Sequence, residues 1–178
     1  NNTVTTLEDS VYTFAASDLG FSDPADAASA AGANALAAVK ISTTPGAGTL
    51  ALSGVAVNAG DVISVANLNA GNLKFTPAAN ANGAGYASFT FQVQDDGGTA
   101  NGGVDLDQSP NTITIDVTAV NDAPAGTDNT VTALEDTAYT FAAVDFGFSD
   151  AADSPANNLL AVTITTVDSA TPRAARRP

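Results

Sequence analysis

Residues 89–94 read FTFQVQ, and hydrophobic and polar side chains alternate at every position of this stretch. Successive side chains of a strand point to opposite faces of a sheet, so this alternation predicts a β-strand with one buried face. The same pattern returns in TITIDVTAV (residues 112–120) and in NLKFTP (residues 72–77). No segment carries the apolar spacing of an amphipathic helix. These stretches therefore predict an all-β protein.

Short alternating segments separated by Gly, Asn and Pro extend outward from this stretch and predict a sandwich of two sheets. The predicted strands lie near residues 3–7, 11–17, 36–43, 48–57, 72–77, 86–94 and 111–120, with an additional short strand near 62–65. Residues 27–38 are rich in Ala, but Gly32 and Asn34 favour a loop there over a helical turn. The Phe, Leu, Ile and Val residues of the strands are assigned to the core.

An internal repeat sets the domain organisation. Residues 2–26 and residues 129–153 are identical at 19 of 25 positions, with an offset of 127 residues. The match resumes at residues 159–166 after a four-residue deletion. Tandem similarity of this kind indicates an array of like domains. The repeat predicts these segments: a sandwich domain at 1–120, a linker at 121–128 and a truncated second repeat at 129–170 that keeps only the first three strands.

The tail at residues 171–178 breaks the repeat and holds three of the five basic residues. We interpret it as a cloning or frame-shifted end. The alternative is a basic anchor, but stable electrostatic anchoring needs a larger basic cluster. An export signal, if the protein is secreted, is expected outside this sequence, because its start has no apolar stretch of the signal-peptide kind.

Composition excludes several classes of function. The chain carries 19 acidic and 5 basic residues, a net charge of −14. Nucleic acid and membrane insertion are therefore not expected, because phosphate binding needs a basic surface and no apolar run is long enough for a bilayer. With no His and no Cys, the chain cannot form the usual nucleophilic triads. A pair of catalytic carboxylates of the glycosidase kind remains possible at Asp95 and Asp96. These two residues lie in a Gly-rich loop, and the chain has no Trp to stack against a sugar. We therefore predict no enzyme.

The choice of acids is informative. Only Glu8 and Glu135 are glutamates, and they occupy equivalent places in the two repeats. The other acids are Asp, most of them beside Gly, Asn, Ser or Pro. Asp in such loops has two common explanations, turn formation and oxygen ligation of a hard cation such as calcium.

Several motifs carry a resemblance. VNDAP (residues 120–124) looks like the linker between cadherin domains. In LED (residues 134–136), Glu135 follows Asp122 after 13 residues, much as the glutamate of the first strand follows the linker aspartate in cadherin domains. FTPAANANG (residues 75–83) and YASFTFQVQDDGG (residues 86–98) complete the pattern. Together they resemble the cadherin-like tandem repeats of large bacterial adhesins of the RTX type. The tripeptide Asp-Arg-Glu of cadherins is absent, and the number of ions at each junction stays open.

The resemblance implies a Greek-key, cadherin/immunoglobulin-like β-sandwich with calcium as a structural ion at the junction of repeats. It places calcium ligands at Glu8, Asn121, Asp122, Asp145, Asp150 and Asp153. It also implies a secreted or bacterial cell-surface location.

Successive loops of a sandwich lie at opposite ends. The end near the chain start is expected to gather further candidate ligands: Asp18, Asp23, Asp26, Asp95, Asp96, Asp105 and Asp107. The other end is expected to gather Glu8, Asp9, Asn80, Asn82 and the linker. For Asp26, Asp105 and Asp107, turn formation explains the sequence equally well.

The function predicted from these features is a calcium-stabilised extender module in cell adhesion or biofilm formation. Its partners are then the neighbouring repeats, with homotypic, host-surface or glycan contacts as further options. The alternative is an adhesive module that contacts a glycan or protein directly, for which Phe21 and Phe148 in the GFSD loops are the visible aromatic candidates. A third option is self-association through the unpaired edges of the truncated repeat.

Overall fold

The chain divides into two compact units, Asn1–Asn121 and Asp122–Pro178. This boundary falls one residue after the predicted end of the first domain. The structure, a computed structural model, describes residues 1–27 and 32–167. The predicted tail at 171–178 and part of the Ala-rich loop lie outside the described residues. None of the helices in the described part of the chain has the length and hydrophobicity required to cross a membrane.

The first unit is built from short strands that follow the alternating segments of the sequence. Its strands are β1 (Asn2–Leu7), β2 (Tyr12–Thr13), β3 (Leu36–Thr43), β4 (Thr49–Leu52), β5 (Val55–Ala56), β6 (Val62–Ser64), β7 (Leu73–Thr76), β8 (Gly83–Asp95) and β9 (Asn111–Thr118). Between them lie the helix α1 (Val65–Asn69) and two 3₁₀ helices, Ala16–Leu19 and Ala100–Gly102.

These strands form two sheets. One has the order β1-β9-β8-β3-β6 and the other the order β2-β7-β4-β5. The first strand pairs with the last in parallel, with Val4 opposite Ile115, and the other pairs of strands are antiparallel. The prediction of an all-β protein with two sheets is confirmed.

One hydrophobic core joins both sheets. Phe89 and Phe91 of β8 are almost fully buried, as the alternation of FTFQVQ predicts. Phe75 of β7 contributes from the other sheet, and Phe14 packs edge-on against Phe89 with ring centroids 5.4 Å apart. Aromatic pairs in this geometry add to the free energy gained by burying their area. The core therefore fixes both sheets and, with them, the loops at each end.

The structure corrects three local predictions in the first unit. The strand expected near 11–17 ends after Thr13, because a 3₁₀ helix at Ala16–Leu19 follows it. The strand expected near 48–57 is a hairpin whose turn places Ser53 at a φ of 50°. Helix α1 was not predicted, since five residues are too few to show a helical period. Its start is marked only by Ser64, whose hydroxyl accepts a hydrogen bond from the Asn67 N–H at 3.3 Å.

The second unit differs from the prediction more strongly. Its described residues form no extended strand, so the three strands expected there are not present. It has a 3₁₀ helix at Ala143–Phe146 and a single bridge between Ala125 and Ser149. The reason lies in strand pairing. In the first unit β1 pairs with β9, β2 with β7 and β3 with β8, and the second repeat has no counterpart of β7, β8 or β9 in this sequence.

Candidate metal centre

Glu8 lies at the end of the first unit where β9 leads into the linker. Its side chain is 2% exposed. The carboxylate accepts hydrogen bonds from the Val120 backbone N–H at 2.6 Å and from the Asn82 side-chain amide at 2.8 Å. The Glu8 backbone N–H donates to the Thr118 carbonyl at 2.9 Å. Glu8 thus joins the turn after β1 to the last residues before the linker.

A second contact fixes the same end of the first unit. The Asp9 carboxylate accepts a hydrogen bond from the Asn80 backbone N–H at 3.1 Å. Both residues have positive φ, at 56° and 55°, a conformation that Asp and Asn adopt more readily than most residues. The turn after β1 and the loop between β7 and β8 therefore meet at this end, as the sequence predicts. Asn121, the last residue of the unit, is exposed.

The opposite end of the first unit gathers the two other acidic loops, also as expected. The Asp96 carboxylate accepts a hydrogen bond from the Ala35 N–H at 2.7 Å, and the Asp96 N–H donates to the Ala35 carbonyl at 3.0 Å. Beside them lies an open cavity of ≈ 590 Å³, whose lining includes Asp23, Asp95 and Asp105. The two loops thus share one surface.

The loop aspartates at this end accept hydrogen bonds from nearby groups of the first unit. Asp95 accepts a hydrogen bond from the Gly97 N–H at 2.8 Å, and Asp107 accepts one from the Ser109 N–H at 3.0 Å. Asp105 accepts one from the Gln94 side chain at 3.1 Å. Within the described residues these loops bring no three carboxylate oxygens within 4.8 Å of one another. Turn formation accounts for Asp95 and Asp107, and the contact with Gln94 accounts for Asp105, so we leave all three out of the proposed ion site.

Asp18 and Asp145 are equivalent in the repeat and have the same role. The Asp18 carboxylate accepts a hydrogen bond from the Ala15 N–H at 2.9 Å, and that of Asp145 accepts one from the Ala142 N–H at 2.8 Å. Each therefore satisfies a backbone donor at the start of a 3₁₀ helix. This capping role is an alternative to ion ligation, which stays a prediction for Asp18 and for Asp145.

The bond between Tyr12 and Asp18 predicts a pH dependence. The Tyr12 hydroxyl donates to Asp18 at 3.2 Å, and burial together with the Asp18 charge raises the pKa of Tyr12 above 10.0. A raised pKa means that the folded state keeps a proton that the unfolded state loses. The associated stability is complete below the unfolded pKa and is lost as pH rises through the folded one. Tyr12→Phe should therefore make the fall in stability above about pH 10 shallower.

Urea unfolding of the first unit, followed by far-UV circular dichroism at neutral and alkaline pH, measures this slope. Tyr139→Phe is the matched control, because it removes the equivalent hydroxyl, bonded to Asp145 at 3.1 Å, from the second unit. Equal alkaline slopes for the original chain and Tyr12→Phe would contradict the prediction.

One arrangement of carboxylates around an Asn occurs in each unit. In the first unit the Asn34 backbone N–H donates to Asp23 at 2.8 Å, and its side-chain amide donates to Asp26 at 3.0 Å. Asn34 thereby holds two aspartates of one loop close together. Asp23 is half-buried and Asp26 is exposed.

The second unit repeats this arrangement with one addition from the linker. The Asn157 backbone N–H donates to Asp150 at 2.5 Å, and its side-chain amide donates to Asp153 at 2.9 Å. The Asp122 backbone N–H donates to the other Asp153 oxygen at 3.0 Å. Carboxylate oxygens of Asp122 and Asp153 lie within 4.8 Å of each other. Of the predicted ligands, Asp122 and Asp153 are therefore within reach of one ion, and Asp150 is connected to Asp153 through its hydrogen bond with Asn157.

Asp150 is the residue of this group with unmet bonding capacity. It is 6% exposed, and its Oδ1 atom is buried without a hydrogen-bond partner among the described residues. Residues 122–167 contain no Lys and no Arg. A buried carboxylate oxygen of this kind is costly unless a donor or a cation reaches it. The donor set fits a hard cation such as calcium, which prefers carboxylate oxygens.

Sequence reasoning missed the two asparagines and the two tyrosines that hold these aspartates. Asn34 and Asn157 align when the four-residue deletion in the second repeat is allowed for, and Tyr12 and Tyr139 align without a gap. The repeat thus contained the signal, since the two copies retain each Asp together with its hydrogen-bond partner.

Comparisons with known proteins identify no relative. The chain matches no protein-family model, and no curated protein or solved structure matches it. The function is therefore inferred from the residues, their repetition and their geometry.

Proposed function

We propose that the chain is part of a cadherin-like tandem-repeat protein of a bacterial cell surface, in which calcium bound at the linker stiffens an extender used in adhesion or biofilm formation. The strand order supports the fold assignment. The two sheets, β1-β9-β8-β3-β6 and β2-β7-β4-β5, are those of an all-β sandwich, and a Greek-key connection of their strands is part of the proposal. The repeat of 127 residues supports an array of such domains.

The observation that carries the calcium proposal is the buried, unpartnered Oδ1 atom of Asp150. Asn157 donates hydrogen bonds to both Asp150 and Asp153, and the Asp122 backbone N–H of the linker donates to Asp153. Three carboxylates with no basic side chain in residues 122–167 would repel one another in the absence of a cation.

Calcium is the cation of choice for this set, because it accepts six to eight oxygen ligands in a flexible shell. Asp122 and Asp153 would hold it between their carboxylates, and Asp150 would turn its unpartnered Oδ1 atom to it, while Glu8 and Asn121 remain predicted as further ligands. The ion would neutralise the carboxylates and join the linker to the loop of the repeat that follows it. A chain of such junctions would be stiff in calcium and flexible without it.

The pattern of aromatic exposure favours an extender over an adhesive module. Phe141 is 60% exposed, but its counterpart Phe14 in the complete repeat is 1% exposed. The exposure therefore follows from the missing strands of the second repeat. Phe21 and Phe148 are both half-buried. No aromatic cluster of the described first unit offers the exposed platform that a glycan-binding surface uses.

Calcium binding is tested by titration calorimetry and thermal unfolding of the full chain, first in EDTA and then in millimolar calcium, with magnesium as the ion control. A site with an affinity typical of extracellular modules should add about 1–2 kcal/mol of stability at a few millimolar calcium. We expect Asp150→Asn to remove the calcium response without lowering stability in EDTA, because the amide oxygen still accepts the Asn157 N–H bond.

Asp128→Asn is the charge-matched control, because it removes the same charge from an exposed position of the linker. It should keep the calcium response. A chain that binds no calcium, or an Asp150→Asn variant that binds it as well as the original, would overturn the proposed site.

A further inference from the structure

The GFSD loop occurs in both repeats, and in the second unit the linker packs directly against it. The Ala125 N–H donates to the Ser149 carbonyl at 2.7 Å, and the Ser149 N–H donates to the Ala125 carbonyl at 2.8 Å. This reciprocal pair is a short antiparallel bridge. The Asp122 N–H adds a third bond, to Asp153 at 3.0 Å. The backbone of Asp122 and Ala125 is thus held to this loop by three hydrogen bonds.

Close packing accompanies these bonds. A Cβ atom built on Gly147 would collide with the side chain of Thr127 and would lie 3.1 Å from its backbone nitrogen. A Cβ atom on Gly126 would lie 3.3 Å from the Phe146 carbonyl oxygen. Glycine at 126 and 147 therefore permits the linker to lie against the loop.

The first unit contains the same loop with an open surface. Gly20, Ser22 and Asp26 are the counterparts of Gly147, Ser149 and Asp153 at the offset of 127 residues. A Cβ atom on Gly20 meets no described atom within 4 Å. Among residues 1–27 and 32–167, the Ser22 backbone forms no bridge like that of Ser149. The positions equivalent to Gly147 and Asp153 are also more exposed in the first unit.

A cavity of ≈ 590 Å³ borders this open loop and is lined by Leu19, Gly20, Phe21 and Ser22 among others. Its size suits a short peptide, and its lining matches the residues that contact the linker in the second unit. Asn1 and Asn2 also line it, so a segment that preceded Asn1 would enter the cavity directly.

We propose that this cavity is a docking site for an extended peptide with the linker sequence Asp-Ala-Pro-Ala-Gly-Thr, as supplied by a repeat placed ahead of residue 1. The second Ala of the peptide would exchange two backbone hydrogen bonds with Ser22. The Asp N–H would donate to Asp26, and the Thr would cover Gly20. The linker of each repeat would then be an integral part of the repeat that follows it. This proposal rests on the internal repeat and not on calcium.

The test uses the full chain extended at its start by a copy of residues 119–127, which places the new segment in register with the repeat. Hydrogen exchange of the Ser22 amide is the readout, and every sample contains EDTA. Because two new backbone bonds protect the site, we expect Ser22 exchange to slow by about tenfold relative to the original chain. The Ser149 amide of the same molecule, which already forms this bridge, is the internal reference.

The matched control is the same extension with Pro in place of the Ala equivalent to Ala125, because proline has no N–H to donate. Proline removes one of the two bonds and weakens docking, so Ser22 exchange should slow clearly less than with the Ala extension. Equal Ser22 exchange in the two extended chains would overturn the docking site. Because every sample contains EDTA, failure of the proposed calcium site would not change the outcome of this test.

Discussion

Glu8→Ala is expected to lower the free energy of unfolding of the first unit by about 3 kcal/mol, because it leaves two hydrogen-bond donors without their acceptor. The donors are the Val120 N–H, bonded at 2.6 Å, and the Asn82 amide, bonded at 2.8 Å. The side chain is 2% exposed, so its removal also opens a gap. Urea unfolding followed by far-UV circular dichroism measures the change.

Glu135→Ala is an unusually close control, because it makes the same substitution in the same LED motif of the second repeat. Glu135 is exposed, and a surface substitution of this kind changes stability by about 0.5 kcal/mol or less. Equal small effects at the two positions would show that the bonds of Glu8 add nothing to the fold. Both measurements in EDTA keep the result independent of calcium.

The contrast between Glu8 and Glu135 also explains what the sequence could predict. The alternation of residues 89–94 follows from local strand geometry, and it correctly placed Phe89 and Phe91 in the core. The repeat correctly aligned the two LED motifs. Their different burial, however, depends on whether β9 and the loop before β8 are present to surround them, which no local pattern contains.

The same reasoning applies to the acidic loops. Sequence alone brought Asp122, Asp150 and Asp153 into one candidate set, because their order in the chain resembles that of a cadherin-type junction. It could not separate them from Asp145, since capping and ion ligation use the same carboxylate chemistry. Only the hydrogen-bond partners distinguish the capping side chain of Asp145 from the carboxylates of the proposed site. Asp145 satisfies the Ala142 N–H, whereas Asp150 retains a buried oxygen without a partner.

The short elements were the least predictable part of the fold. Helix α1 and the 3₁₀ helix at Ala16–Leu19 are each about one turn long, and such turns depend on single capping side chains. The missing strands of the second repeat have a different cause. Their sequences favour strands, but a strand needs a partner, and the partners of the first repeat come from β7, β8 and β9.

Gly48→Ala is the second substitution with a large expected effect on the first unit. Gly48 has a φ of +69°, and a Cβ atom there would lie 2.5 Å from the Phe75 ring and 2.8 Å from the Thr76 carbonyl oxygen. Phe75 is fully buried, so its ring has no space into which to move. The positive φ costs alanine about 1 kcal/mol, and overpacking adds about 2 kcal/mol more.

Gly54→Ala separates these two costs. Gly54 has a φ of +84°, but a Cβ atom there meets nothing within 4 Å. It should therefore lose only the conformational part, about 1 kcal/mol, while Gly48→Ala loses about 3 kcal/mol in the same urea unfolding experiment. Equal losses would mean that the loop before β4 can shift away from Phe75. A larger loss at Gly48 would establish that this glycine is required because the aromatic core approaches the backbone at the point where β4 begins.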